Sequence, residues 1–489
     1  MKPSSSWTVP TRRELILVFG LLVVLLFVSQ NDGLVFSPES VKLDEVTGKE
    51  GNGVQSSFSD NSLRDPRLTW GETPPETTLV AHAAGWNIFD QLYLLNGTLY
   101  IVSSNPPTSF PELRLMYSTG REVRNGKEEE LKRFPTDKDI RIISLTEART
   151  LFGTSATRID GPNWLVNDAA NQFITHYYHW AAELLFGMWR AYSSLDPFIT
   201  PDGVTSIPPP RRLMFRFVPC SKWRDYASMN QWVLRGAFPS ISMEFSSDWA
   251  DRASMGRPFV FDRVLIADRA AAGQGAAYHR TWRTASEAFS LRGSPHWWSP
   301  VRNNVLEFSG LAPEWVLGPD PGAIGTRQKF VITYISRQGW GRRMLRDEDH
   351  EELVRQLTRL KNRYGYEVNV ANMDKLSRAE QFQLAGRTTI MMGVHGNGLT
   401  SLVWMRPTPR STVIEFFYPK GIAFDYEYTT RALGMVHYGV WDNITFTRPD
   451  VPPFPQYPEG FQGNDIPVNG MVVADLVHRR LQLDQETDD

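Results

Sequence analysis

Apolar residues run unbroken over residues 15–28, behind Lys2, Arg12 and Arg13. Extended through the semi-polar residues 29–33, this run predicts a membrane-spanning segment over 14–33. A cleaved leader needs small residues at its end, and Phe27 two positions before Ser29 fits that poorly. The cations lie on the N-terminal side, so residues 1–13 are expected in the cytosol and the rest of the chain in the lumen. Residues 34–75 then lose periodicity and fill with Ser, Gly, Asp, Glu and Pro, the composition of a flexible stem.

Periodic patterns return beyond residue 75 and predict a first domain over 76–322. Asn96-Gly97 between LYLL and TLYIV reads as a tight hairpin turn. RRLMFRFV at 211–218 and FVFDRVLIAD at 259–268 read as strands, with helices over 221–235 and 280–291. The Pro- and Gly-rich stretch 310–325 reads as a linker. Beyond it the pattern predicts a second domain over 323–447. KFVITYI is a strand, and RDEDHEELVRQLTRLKNRYG is a helix with acids in its first turn and a glycine stop. YEVNVAN is a second strand, and Ser377 with Glu380 makes a capping box for the next helix. TTIMMGV, the short helix GLTSLVWM and the strand STVIEFF follow. Strands alternating with helices predict a parallel sheet. Residues 448–489 carry a Pro-rich segment and a terminal helix near 471–482, expected to return the chain to the first domain.

Ligands of such sheets bind beyond the carboxyl ends of the strands. Those ends carry Ser336, Arg337, Arg342 and Arg343 after the first strand, and His395, Gly396, Asn397 and Gly398 after the third. Glu415 lies just inside the end of the fourth. Arginine forks, glycines and a helix N-terminus on one edge point to a phosphate or diphosphate. A second pattern lies over 171–195. Phe173, Tyr177, Trp180, Ala181, Leu184, Met188 and Tyr192 recur at helical spacing, while His176, His179, Glu183, Gly187 and Arg190 form a separate stripe. His179 and Glu183, four apart, face each other, so the carboxylate can orient the imidazole or serve as base itself.

Composition narrows the classes. Among 489 residues, 52 Lys and Arg against 54 Asp and Glu leave a net charge of −2, which disfavours nucleic acid as partner. Cys220 is the sole cysteine, which excludes an internal disulfide and a cysteine-based zinc site; it is read as structural. The sequons at Asn96 and Asn443 are candidate glycosylation sites and suit a luminal chain. The Asp-x-Asp segments at 137–139 and 347–349 read as ordinary loop and helix-start acids, and no third ligand joins His179 and Glu183, so no metal site is predicted.

The segments YISR (334–337), RR (342–343), KLSRAEQ (375–381), GVHGNGLTSLVWM (393–405) and VIEFFYP (413–419) together resemble glycosyltransferase family 61, in a fungal-type member. That family includes xylosyl- and arabinosyltransferases of plant glycans and O-linked N-acetylglucosaminyltransferases of the secretory pathway. The helix at 171–195 resembles the family's N-terminal histidine-and-acid motif. Asn397 stands where the family usually has Ala, a departure expected to alter pocket shape more than phosphate binding. The resemblance implies an α/β fold of GT-B type, two Rossmann-like domains facing across a cleft, carried here on the anchor and stem. It implies a type II protein of Golgi or endoplasmic reticulum and an inverting transfer from a UDP-sugar, xylose or N-acetylglucosamine foremost, to a glycan or glycoprotein acceptor. Ser336, Arg337, Arg342, Arg343 and the backbone of His395, Gly396, Asn397 and Gly398 would then hold the diphosphate, and Glu415 the ribose hydroxyls. Glu183, or His179 oriented by it, would be the base, with His176 and Arg190 on the acceptor side and domain closure aligning the halves. No cofactor or metal is required in this scheme. The alternatives are an inactive carbohydrate- or nucleotide-binding protein of the same fold and a nucleotide-binding oxidoreductase, the latter suggested by Gly396-x-Gly398-x-x-Ser401.

Overall fold

The computed structural model of the protein describes residues 66–318 and 329–483. The expected cytosolic tail, the membrane anchor and residues 34–65 of the stem lie outside the described residues, as do residues 319–325 of the expected linker. Among the described residues no helix is long and apolar enough to cross a membrane.

The described chain is mixed α/β with two sheets. The first contains β1 (Arg67–Thr69), β2 (Thr78–Ala83), β3 (Trp86–Leu95), β4 (Thr98–Val102), β5 (Ile140–Ile143), β6 (Ser155–Val166), β7 (Arg212–Phe215), β8 (Ser242–Glu244) and β9 (Phe259–Ala267). Its order is β5-β4-β3-β9-β6-β7-β8, with β2 beside β3 and β1 beside β6. Asn96 and Gly97 turn β3 into β4 with φ of 52° and 80°, the left-handed pair that a two-residue hairpin requires. Strands β9, β6, β7 and β8 run parallel, whereas β3 is antiparallel to both β4 and β9.

The second sheet contains β10 (Val331–Ile335), β11 (Glu367–Ala371), β12 (Ile390–Val394), β13 (Thr412–Phe416), β14 (Val436–Trp441) and β15 (Ile444–Phe446). Its order is β11-β10-β12-β13-β14-β15, parallel except for the last pair. All five residues of β10, β12 and β13 are buried, as strands covered on both faces require. The helix Asp347–Tyr364 starts on three acids and stops at Gly365, whose φ is 74°. The Ser377–Glu380 capping box forms as expected. The chain leaves β10 toward β11 and then crosses back to β12, so the strand order reverses between β10 and β12.

One expectation is corrected. The terminal helix Gly470–Leu481 does not return to the first sheet; its Val473, Leu476 and Val477 pack with Leu353, Leu357 and Leu360 over the second. Cys220 is exposed. One apolar cluster runs through both halves, joining Trp86, Trp164 and Trp180 to Phe382, Leu402 and Trp404. Trp298 Nε1 donates to the Val403 carbonyl at 2.7 Å, and Trp404 Nε1 to Tyr177 Oη at 2.8 Å.

Candidate functional site: an arginine cleft and a histidine–carboxylate dyad

A cleft of about 300 Å³ opens at the point where the strand order reverses. Its floor is the carboxyl ends of β10, β11 and β12, which supply Ser336 and Arg337, Asn372 to Asp374, and Asn397 with Gly398. Its roof comes from the first half, through His176, Tyr226 and Met229. Arg337, Arg342 and Arg343 all line it, and among the described residues none of the three is ion-paired with a carboxylate. Arg337 Nε is buried without a hydrogen-bond partner. Burial, then the like charges of Arg343 and Arg342, pull the Arg337 pKa below its ordinary value. Mutually repelling, partly buried cations without counter-charges form a site for an anion.

The local sequence builds this arrangement. A Cβ on Gly396 would stand 2.5 Å from Arg337 Nη1, and one on Gly398 would stand 2.9 Å from Ile335 Cγ2. The first glycine therefore admits the arginine, and the second lets the turn close on β10. Asn397–Trp404 is a 3-10 helix rather than an α-helix, and the N–H groups of Asn397 and Gly398 at its start have no intrahelical acceptor.

A second cleft, of about 330 Å³, lies on the other side of His176 and His179. The helix that carries these residues begins near Tyr177 and makes a π-helical turn over His179–Leu185 before continuing as Phe186–Tyr192. The wider turn brings residues four apart nearly over one another. His179 Nδ1 and Glu183 Oε2 are 2.6 Å apart. Arg283 Nη1 lies 3.4 Å from the other carboxylate oxygen and 3.0 Å from Asp425 Oδ1, while Arg269 lies 3.6 Å from Glu183 and 2.5 Å from Asp168. Burial opposes the Glu183 charge, but His179, Arg283 and Arg269 outweigh it and hold the carboxyl down at about 2. Phe173 stacks on the His179 ring at 4.8 Å, and Tyr278 and Trp282 line the same cleft. The His176 ring is 5.0 Å from that of His179 but faces the arginine cleft, and burial followed by the His179 charge lowers its pKa to about 4. The two clefts thus meet at a pair of histidines.

The family model for Glycosyltransferase 61 matches residues 177–414, from the first turn of the dyad helix into β13. This match supports a glycosyltransferase of family 61. Such an enzyme works with a sugar donor and a glycan acceptor. No curated protein matches the chain.

Several site residues of this glycosyltransferase stand elsewhere than the sequence suggested. Glu415 does not face a ribose: it is wholly buried, with Oε1 2.6 Å from His395 Nδ1 and Oε2 2.8 Å from His437 Nε2. Arg190 is not on the acceptor side. It is buried near Phe289, where it donates to the Leu291 and Arg292 carbonyls. Gly187 makes room for the Trp86 indole rather than for a ligand. His176, expected on the acceptor side, lines the arginine cleft rather than the second cleft. Asn96 and Asn443 are exposed on turns, open to modification. Among the described residues no group of three or more His, Cys, Asp or Glu side chains is arranged to hold a metal.

Sequence reasoning missed Tyr226 and Trp340 in the first cleft and Arg269, Arg283 and Asp425 around the dyad. Trp340 sits inside the GWGRR segment and was legible as an aromatic beside cations. The others come from separate segments, Arg269 and Asp425 at helix starts, and nothing in their local pattern marks them.

Proposed function

We propose that the enzyme transfers a sugar, with inversion, from a UDP-sugar to a glycan or glycoprotein acceptor, the donor being UDP-xylose or UDP-N-acetylglucosamine. The observation that carries this reading is the cleft in which three arginines converge without a carboxylate partner. The diphosphate lies against Arg337, Arg342 and Arg343 and the N–H groups of Asn397 and Gly398. As the bond between the anomeric carbon and the phosphate oxygen breaks, these groups stabilise the charge that gathers on the leaving UDP. A divalent metal is not needed for that role. The exposed rings of Tyr226 and Trp340 at the same cleft suit the nucleobase.

The acceptor lies in the second cleft, where Phe173, Tyr278 and Trp282 offer faces for a pyranose. His179 takes the proton from the attacking hydroxyl through Nε2, since Nδ1 is committed to Glu183. Glu183 orients the ring and stabilises the imidazolium as it forms. A carboxyl held near 2 is too weak a base to take the proton itself. The intact dyad beside the arginine cleft argues against an inactive binding protein. An N-terminal anchor over 14–33 would place this chemistry in the lumen of the Golgi or endoplasmic reticulum.

The test is UDP release from a panel of UDP-sugars, with and without acceptor glycans and chelator. Release from one sugar that survives chelator supports the reading and fixes the donor. UDP binding without release under any acceptor would leave a binding protein, and absence of UDP binding would refute the site.

A further inference from the structure

Behind the arginine cleft the second sheet carries a polar chain that the transfer scheme does not use. Glu415 on β13 and His437 on β14 point to the same face of the sheet, because His437 pairs with Val413, two residues before Glu415. His395 follows the end of β12 and meets Glu415 from the other side. The three form a line that starts in the interior and ends at the turn beside the cleft-lining Asn397: His437, Glu415, His395. The placement of protons along that line decides what His395 offers to a ligand.

The inner end fixes the sense of the line. His437 Nδ1 is buried without a partner, while its Nε2 lies 2.8 Å from Glu415 Oε2. An unpartnered N–H would cost more than a bare lone pair that still has its Nε2–H bonded. His437 therefore carries its proton on Nε2 and donates to Oε2. The second oxygen, Oε1, then faces His395 Nδ1 at 2.6 Å, and one proton lies between them. If Glu415 is a carboxylate, that proton belongs to His395 Nδ1, and Nε2 offers a lone pair. If Glu415 is a carboxylic acid, Nδ1 accepts and Nε2 carries the hydrogen.

We propose that Glu415 is a neutral carboxylic acid that donates its proton to His395 Nδ1, so that His395 presents an Nε2–H, rather than a lone pair, at the turn that borders the arginine cleft. Two observations select this state. Glu415 has no solvent exposure, and among the described residues no lysine or arginine is paired with it. A lone carboxylate there would be an uncompensated buried charge. Asp425 and Glu427 stand nearby and oppose a further negative charge, although Arg283 engages the first and Arg431 and Arg448 the second. Burial, reinforced by those two acids, raises the Glu415 pKa well above its ordinary value, with Arg343 and Arg283 opposing. Burial lowers His395 to about 3 and His437 to about 4, so neither imidazole takes the proton as a cation. His395 Nε2 makes no hydrogen bond and is not among the buried unpartnered atoms, which leaves it as the open edge of the ring. Arg343, which lines the cleft, donates to the His395 backbone carbonyl at 3.4 Å. Glu415 and His437 are thus positioning residues that set the tautomer of His395.

The contribution to donor binding rests on the diphosphate reading above; the proton placement does not. The protein labelled with ¹⁵N-histidine is examined by long-range ¹H–¹⁵N correlation, alongside UDP affinity for Glu415→Gln and Glu415→Leu. Glutamine keeps the pattern of a neutral acid, since its oxygen accepts from His437 and its amide donates to His395. The expected result is His395 protonated on Nε2 in the wild type and in Glu415→Gln. UDP affinity is expected within about threefold of wild type for the glutamine variant and about tenfold weaker for leucine. His395 protonated on Nδ1 in the wild type would overturn the proposal, whether or not UDP binds. So would a folded Glu415→Gln protein that loses UDP as fully as Glu415→Leu. If the wild type itself fails to bind UDP while His395 is protonated on Nε2, the diphosphate reading falls and the tautomer assignment stands.

Discussion

Replacing Arg337 by alanine separates a ligand-binding arginine from a structural one. Its guanidinium packs against Gly396 and lies 5.8 Å from the Trp340 ring, and among the described residues it pairs with no carboxylate. Removal therefore strands no buried acid and relieves repulsion from Arg342 and Arg343. Within the protein, the alanine variant forgoes a cation–π interaction worth about 0.5–1 kcal/mol at such a site. Against a diphosphate the penalty is larger. Each charge-assisted hydrogen bond contributes about 1.5–3 kcal/mol, and an arginine fork makes two. Part is recovered as Arg342 and Arg343 shift toward the ligand, so about 3 kcal/mol is the expected net cost. That corresponds to roughly 100-fold weaker UDP binding. Titration calorimetry with UDP measures the affinity, and thermal unfolding without ligand measures the fold. The expected pair of results is a drop of two orders of magnitude in affinity and a melting temperature within about 2 °C of wild type. Unchanged affinity would refute the clamp. A large fall in melting temperature would show that Arg337 serves the fold.

Gly396→Ala should act on the same group from the other side: the new methyl displaces the mobile end of Arg337, so UDP binding is expected to weaken about tenfold with little change in thermal stability. Arg190→Ala should do the reverse, lowering stability by about 1–3 kcal/mol in urea melts because the Leu291 and Arg292 carbonyls lose their donor, with UDP affinity unchanged. Glu183→Gln should reduce turnover by about 10²–10⁴ while UDP still binds, and retained turnover would end the dyad assignment. The same variant has a signature in pH. The Glu183 carboxyl sits at about 2 in the folded chain against an ordinary 4.5, so its stabilisation is complete above about 4.5 and is lost as pH falls toward 2. The stability difference between wild type and Glu183→Gln should therefore shrink between pH 6 and pH 3 in denaturant titrations; a difference independent of pH would contradict the ion-pair network.

The second sheet was legible because each of its signals is local. Buried strands such as VITYI and IMMGV, the acid-rich start and glycine stop of the Asp347–Tyr364 helix, and the Ser377–Glu380 capping box act within one turn or one strand. Alternation of such elements restricts the sheet to a parallel form, and that places Arg337 and the His395–Gly398 turn on one edge without further information. The His179–Glu183 pair was legible for the same reason, since four residues on a helix is a fixed short distance.

Tertiary structure alone decided what those residues face. Glu415 reads as an edge carboxylate, yet strand register turns it inward between histidines that lie 20 and 22 residues away. Arg190 continues the stripe of His179 and Glu183 in sequence, but the π turn and the packing of Trp86 against Gly187 send it to a different part of the core. Arg269 and Arg283, which hold Glu183 charged, and Asp425, which pairs with Arg283, come from three separate segments and meet only when both sheets pack on one apolar cluster. Sequence patterns record which side chains share a face of one element, because backbone geometry repeats every few residues. Which face meets which depends on long-range packing, and there a buried charge or an open histidine edge is determined by neighbours that local periodicity does not encode.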